Sequence, residues 1–411
     1  MSIYKLIKCG QLYDGVNDEF QSGKEILVHE GKIIDIGANL DCPEGTQIFD
    51  LTAQTVTPGL IDSHVHIDYP KGMALSELAH TSNTACALHA YSNLQKTLLG
   101  GFTTIRGMNS VGTDRSIFEI ARQQKRGHFQ DTSRLIAARV MGSEGGHADA
   151  SGEMTSNEKV AEAFKSDAVG SGADFFTRLV RNEIKYGSDF IKVMYSGGFF
   201  TQLDGPNDCQ LMDDEIQAII KTAHNHNRTC TAHCYGDTLI NKLIDFGIDG
   251  IEHAALMTAQ TARRLEASDT YVVPTFFPFT NIIYPNESFL KSLSPAMQAK
   301  LKQYAQELAE SRKVILASKI RLGYGSDIVG TTHVAECWLE YASWIESGVE
   351  PLRILRAATF ENARILNLLD EIGTIEIGKV ADIAAFSGDI NHREGIKNCT
   401  FVMKDGIVYK S

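Results

Sequence analysis

Two histidines two residues apart, His64 and His66 in Gly59-Leu60-Ile61-Asp62-Ser63-His64-Val65-His66, carry the strongest chemical signal in this chain. They follow an extended, β-branched stretch at 54–56. Positions i and i+2 of a strand point to the same side. Two neutral imidazoles so placed at a strand end can grip one divalent cation, and imidazole is a common zinc ligand. Taken alone, the pair also fits two polar residues of a turn. Four more groups of ligand type close later apolar segments. They are Lys192 in Phe190-Ile191-Lys192-Val193-Met194, His233 in Thr231-Ala232-His233-Cys234-Tyr235, His253 in Ile251-Glu252-His253-Ala254, and Asp327 in Gly323-Tyr324-Gly325-Ser326-Asp327.

Lys192 needs a reason to stand inside an apolar strand, because burying an unpaired ammonium is costly. Desolvation lowers a lysine pKa and yields a neutral nucleophile. Such an amine can capture carbon dioxide as a carbamate, an anion whose two oxygens suit bridging two cations. A structural lysine that snorkels its charge to water is the competing reading.

The elements that must position these groups are apolar runs alternating with helical stretches. Strands are predicted at 102–106, 135–141, 190–194, 229–234, 250–253, 271–275 and 321–325, and helices at, for example, 213–227 and 295–319. With the strand leading into His64, that makes eight strands. Repeated strand–helix units form a parallel sheet, and eight can close into a (β/α)8 TIM-like barrel with its chemistry at the carboxyl ends of the strands. The fold class is therefore α/β. Short strands and turns at both termini predict a small β-sandwich built from 1–56 together with 378–411, leaving 57–377 for the barrel.

Bulk properties narrow the function further. A length of 411 residues with 43% hydrophobic content suits a barrel-sized domain and a smaller companion. The formal net charge of -12 repels phosphate backbones, which argues against a nucleic-acid partner. No run of about 20 apolar residues exists to span a bilayer. The first ten residues lack the apolar core of a secretory signal, and the eight cysteines contain no CxxC pair, so a cytoplasmic protein with reduced thiols is expected.

These residues resemble the amidohydrolase superfamily of the two-metal type. The likeness extends to Pro58-Gly59-Leu60-Ile61-Asp62, Ala357-Ala358-Thr359 with Asn362-Ala363, Gly373-Thr374-Ile375, and Gly378-Lys379-Val380-Ala381-Asp382-Ile383. Gly145-Gly146-His147-Ala148-Asp149, Ser196-Gly197-Gly198, the 233–235 run and Ile251-Glu252-His253 are similar to the bacterial dipeptidase branch, whose members resemble prolidases and arginine or lysine carboxypeptidases. One departure stands out. The family usually carries an acidic residue after Gly101-Phe102-Thr103-Thr104-Ile105-Arg106, and here Gly107 takes that place.

The resemblance implies two divalent metal ions, zinc by preference. His64 and His66 would bind the first, His233 and His253 the second, and a carbamate on Lys192 would bridge them. Asp327 would ligate the first metal and act as the catalytic acid–base on a metal-bridging hydroxide. The substrate would be a small molecule, a dipeptide or an N-acyl amino acid. Family members often assemble, which implies a homo-oligomer. Two further residues keep two readings each. His147 is either a catalytic and substrate-binding contact to the scissile carbonyl or carboxylate, or a polar loop residue. Tyr235 either holds the substrate carboxylate or packs in the core.

Other ligand-type residues read as structural. Alternation sends Cys230 and Cys234 to the face opposite His233. His224 and His226 fall on a helical pattern, where i and i+2 diverge. His333 reads as a helix-start residue, and Phe199, Phe200, Phe276 and Phe277 as core packing near the strand ends. The rival functions are a one-metal deaminase or cyclic-amide hydrolase resembling imidazolonepropionase, a lactone or organophosphate hydrolase on the same barrel, and a non-catalytic binding protein. The first lacks a bridging lysine, and many of its deaminases carry a glutamate where Gly236 stands here.

Overall fold

The computed structural model describes residues 3–69, 81–108, 115–149, 151–283, 287–328 and 336–411. Seventeen strands are named among them. They are β1 (Lys5–Leu12), β2 (Gln21–Ser22), β3 (Glu25–His29), β4 (Lys32–Gly37), β5 (Gln47–Pro58), β6 (Leu60–Val65), β7 (Phe102–Met108), β8 (Arg134–Ala138), β9 (Val140–Ser143), β10 (Val169–Gly170), β11 (Ile191–Met194), β12 (Cys230–Gly236), β13 (Gly250–Leu256), β14 (Tyr271–Val273), β15 (Ile383–Phe386), β16 (Cys399–Lys404) and β17 (Ile407–Lys410).

Strands from the two termini lie in one hydrogen-bonded sheet of order β17-β16-β15-β5-β1-β3-β4, with β2 on the edge of β1. The antiparallel pair β5–β15 joins the ends of the chain. The edge at β4 is tied to the segment that leads into β15, because Ile33 N donates to Lys379 O and Ala381 N to Gly31 O. The ring of Phe49 meets that of Phe401 edge-on at 5.2 Å. The stretch at 54–56 belongs to this sheet, within β5. His64 instead lies inside the next strand, β6, and the break between the two falls at Gly59. A Cβ there would sit 2.2 Å from Thr103 Oγ1, so only glycine lets the chain pass so close.

The remaining strands are parallel, in sheets of order β6-β7-β8 and β10-β9-β11-β12-β13-β14. Strands β6, β7, β11, β12 and β13 are buried along their whole length, as expected where both faces are covered. Period-two alternation sorts their side chains. Ile191, Val193, Cys230, Ala232 and Cys234 pack into the main apolar core. Lys192, Thr231, His233 and Tyr235 therefore share the opposite side. Outer helices cover the core; one of them, Pro295–Ala317, starts with a Ser294 cap and a proline in its first turn.

The expected strand at 321–325 is not a regular strand. Its segment touches its neighbours through single bridges, Val272 with Leu322 and Val65 with Ile328. Backbone bonds run beside these bridges, from Val272 N to Arg321 O, Gly323 N to Val272 O and Ser63 N to Tyr324 O, and the side chain of Asn362 reinforces them. Its Oδ1 accepts from Tyr324 N at 3.1 Å, and its Nδ2 donates to Ile61 O at 2.7 Å and Tyr324 O at 2.8 Å. Gly323 and Gly325 make room, since a Cβ on Gly325 would meet Val273 Cγ1 at 2.4 Å. No helix among the described residues is long and apolar enough to cross a membrane.

Asn362 is fully buried, so its replacement strands backbone groups without water. Asn362→Ala is expected to cost roughly 2–4 kcal/mol, read as a lower urea midpoint at unchanged slope. A midpoint equal to that of the parent protein would show that the amide does not tie 321–328 to β6.

Candidate metal centre

Four of the six sequence-chosen ligands crowd around one point. His66 Nε2 lies 3.2 Å from Asp327 Oδ1, His64 Nε2 3.4 Å from the same oxygen, and His253 Nδ1 3.8 Å from Asp327 Oδ2. One ligand atom each from His64, His253 and Asp327 falls within 4.8 Å of the others, a spacing that a single ion can span. His233 joins through His253, with Nδ1 and Nε2 2.9 Å apart.

Lys192 stands across β11 and β12 from Thr231, two register steps before Met194 meets His233. Its Nζ is buried with no hydrogen-bond partner among the described residues. Its charge is felt at His64, His233 and His253. An orphaned buried amine beside imidazoles is the feature that fits an added, negatively charged group at Nζ, and the donor set fits divalent cations. Burial pushes the Lys192 ammonium down to about 8. Burial likewise drives His64 and His233 well down and His253 to about 3, which leaves neutral rings able to ligate. Burial opposes ionisation of Asp327, but the facing His64, His66 and His253 rings prevail and hold its carboxyl well below the usual range.

Three residues behind the ligands went unrecognised as functional in the sequence. The fully buried Glu252 carboxylate accepts from Arg106 Nη2 at 2.6 Å and Thr231 Oγ1 at 2.5 Å, and its other oxygen lies 2.7 Å from His64 Nδ1. A carboxylate accepts only, so Nδ1 of His64 carries the proton and Nε2 keeps its lone pair toward Asp327. Arg106 also donates to Tyr271 OH at 2.8 Å and to Ser63 O at 2.5 Å. A charged residue inside the apolar 102–106 run was the available signal for Arg106, for the same reason that singled out Lys192.

Glu252 and His253 are consecutive, yet both reach inward. A regular strand would send them to opposite faces. Left-handed backbone at His253 (φ 74°) and Ala254 (φ 51°), with a register shift between Cys234 and Gly236, makes this possible. Thr275 (φ 46°) and Asp327 (φ 50°) share that conformation, and Thr275 Oγ1 lies 2.7 Å from His253 Nδ1. Such positions each cost on the order of 1–3 kcal/mol and cluster where function constrains the chain.

The weaker candidates separate cleanly. Strand β12 continues through Tyr235, whose ring stands 4.7 Å from that of His233 and stacks on His253 at 4.9 Å. His147 stacks on His233 at 4.5 Å. Cys230 and Cys234 are buried thiols in the core on the other face. His224 pairs with Asp249 at 2.7 Å at the amino ends of the strands, and His226 is exposed beside it. Phe276 packs on Trp344, whereas Phe199 packs on Tyr235. His333 lies outside the described residues.

Parallel strands here gather imidazoles and a carboxylate at their carboxyl ends, a donor set that could hold a metal ion. The chain matches the amidohydrolase family over residues 55–410 and belongs to it. It is similar to ochratoxinase from Aspergillus niger, 24% identical over 435 aligned residues that cover 98% of this chain and 86% of that protein. Among solved structures it is similar to an Xaa-Pro dipeptidase with methionine bound in the active site (TM-score 0.88, 25% identity, 99% of this chain and 100% of that one). It is also similar to a prolidase complexed with N-methylphosphonate-L-proline (TM-score 0.85, 25% identity, 99% of each chain). The protein is thus an amidohydrolase-type hydrolase of the branch that holds these prolidase-like enzymes and ochratoxinase.

Glu252→Gln removes the charge that balances Arg106 and blurs the proton assignment on His64. It is expected to destabilise the protein by about 3–5 kcal/mol and to weaken metal retention roughly 10–100-fold. Urea unfolding and chelator competition measure the two effects; retention equal to the parent's would separate Glu252 from the metal site.

Proposed function

We propose that the protein hydrolyses the amide bond of dipeptides or N-acyl amino acids at a pair of divalent cations, with zinc favoured by the imidazole and carboxylate donors. In this reading His64 and His66 hold one ion, His233 and His253 the other, a CO2-derived carbamate on Lys192 joins them, and Asp327 completes the first. The single observation that carries it is the orphaned, buried Lys192 amine facing a ring of imidazoles. That lysine also weighs against the one-metal deaminase reading. The full-length likeness to an Xaa-Pro dipeptidase, a prolidase and an ochratoxinase supports the amide substrate class.

The bound ions would polarise the scissile carbonyl and lower the pKa of the attacking water. Asp327, ionised in its setting of imidazoles, accepts the proton of that water and passes it to the departing amine. His147 meets the substrate carbonyl or carboxylate, and Tyr235 holds the carboxylate end. We read the parallel strands as one closed eight-stranded barrel spanning 57–377, with 321–328 as the eighth member. The bridges from Leu322 to Val272 and from Ile328 to Val65 support that closure. The segments 1–56 and 378–411 make the companion β-domain. A cytoplasmic homo-oligomer remains part of the reading.

A panel of dipeptides and N-acyl amino acids on zinc-reconstituted enzyme, read by released amino acid, tests the substrate class. Asp327→Asn should lower kcat on any substrate found by about 10²–10⁴-fold, and unchanged turnover would sink the assignment. The lysine has its own test. The free-amine fraction of Lys192 climbs as pH rises through about 8, whereas the buried His64, His233 and His253 rings are already neutral. With bicarbonate present, metal uptake by metal-free enzyme should therefore rise roughly fivefold from pH 7 to 8 and then level off. Uptake that is flat with pH, or undiminished in Lys192→Met, would rule out the carbamate.

A further inference from the structure

We propose that Asp204 is a positioning residue that fixes the ring and the proton of His147, and that Lys300 locks the loop carrying Asp204 over the site. This rests on the reading of His147 as a substrate contact, and it adds the device that aims it.

The loop between β11 and the helix Asp213–Asn225 crosses the mouth of the site. Asp204 Oδ2 lies 3.0 Å from His147 Nδ1, and Thr201 Oγ1 lies 3.3 Å from the same nitrogen. The other Asp204 oxygen accepts from Gly198 N at 3.1 Å and from the Thr201 hydroxyl. Gln210 ties both ends together. Its Nε2 donates to Asp204 Oδ2 at 3.1 Å, and its Oε1 accepts from His147 N at 2.8 Å. His147 is thus held by its backbone and by its ring from one neighbouring loop.

Burial resists ionisation of Asp204, but hydrogen bonds from His147, Thr201 and Gly198 overcome this and hold its carboxyl well below the usual range. An ionised carboxylate only accepts, so Nδ1 of His147 must donate. Nε2 is then the atom left for chemistry, and it has no protein hydrogen bond among the described residues. The ring cannot slide away. It stacks on His233, and a Cβ on Gly198 would sit 2.2 Å from its Cε1. Bare backbone at Gly198 is what the imidazole packs against.

Lys300 supplies the anchor from outside. Its Nζ donates to the carbonyls of Gly198 at 2.8 Å, Thr201 at 2.6 Å and Asp204 at 2.6 Å. It also stands 3.8 Å from Asp204 Oδ1. Three loop carbonyls turned onto one ammonium make a clamp between the helix Pro295–Ala317 and the loop. A surface lysine would leave its donors to water. Partners that support a working imidazole in this way are commonly worth 10–100-fold in activity or affinity.

The test uses full-length, zinc-reconstituted enzyme with 15N-labelled histidine, the His147 signals being assigned by their loss in His147→Gln. In the parent, His147 should show protonated Nδ1 throughout pH 7–8. In Asp204→Asn the side-chain amide cannot satisfy Gly198, Thr201 and Gln210 while also accepting from His147, so the Nε2-protonated tautomer should appear. On a substrate found by the panel, kcat should fall about 10–100-fold, with KM changing less and Asp204→Glu restoring part of the loss. Lys300→Met should broaden the same His147 signals and lower kcat by a smaller factor; it decides the matter if Asp204→Asn does not fold. An unchanged His147 tautomer in Asp204→Asn, or unperturbed signals in Lys300→Met, would overturn the proposal. The spectra need no substrate, so a panel without turnover would defeat the amide reading and leave this result standing.

Discussion

Glu252 keeps a carboxylate where no water reaches it, and the interior of the parallel strands is arranged around that charge. An isolated ion there would cost several kcal/mol even after relaxation. Arg106 from β7 and Thr231 from β12 satisfy one oxygen, and His64 from β6 satisfies the other. Burial works against the Arg106 charge, yet Glu252 and Tyr271 more than restore it. One network therefore links strands β6, β7, β12, β13 and β14. It also sets which nitrogen of His64 faces the metal site. A fully satisfied polar network in a low-dielectric interior is rigid, and a half-satisfied one is worse than an apolar core.

Above that network the chain departs from regular strand geometry wherever a ligand must turn. His253, Ala254, Thr275 and Asp327 all adopt the left-handed conformation, and none is glycine. The surrounding contacts offset the strain, Thr275 against His253 and Asp327 N on His64 O at 2.7 Å among them. The result is a set of imidazoles around one carboxylate, with the buried Lys192 amine lacking a hydrogen-bond partner among the described residues. Stability and reactivity are here set by the same burial. It keeps the His64, His233 and His253 rings neutral and brings the lysine within reach of neutrality.

Much of this was legible in residue order. Lys192, His233 and Tyr235 stand out because a strand alternates, and alternation placed Cys230 and Cys234 on the far face as expected. The parallel strands and the long helix Pro295–Ala317 likewise announce themselves through local period and capping. Three readings depended on more than local pattern. The stretch at 54–56 belongs to the terminal sheet, because Gly59 lets one continuous run change sheets. The 321–325 run reads as a strand, but it pairs through isolated bridges and a few backbone bonds, and Asn362 reinforces them from the side. Glu252 has no assigned role in residue order, and left-handed backbone with a register shift turns it inward together with His253.

Sequence alone determined the types of the metal-site donors, their order along the chain, and the family likeness, since each depends on residue identity and short-range period. Tertiary structure decided which nitrogens of His64 and His147 carry the proton, where the charge on Arg106 is balanced, and what restrains His147. The reason is separation along the chain. Glu252 meets Arg106 across 146 residues and His64 across 188, and Lys300 reaches the Gly198 carbonyl across 102. No local pattern encodes a partner that distant; only the packed chain brings donor and acceptor together and removes the water that would otherwise have served both.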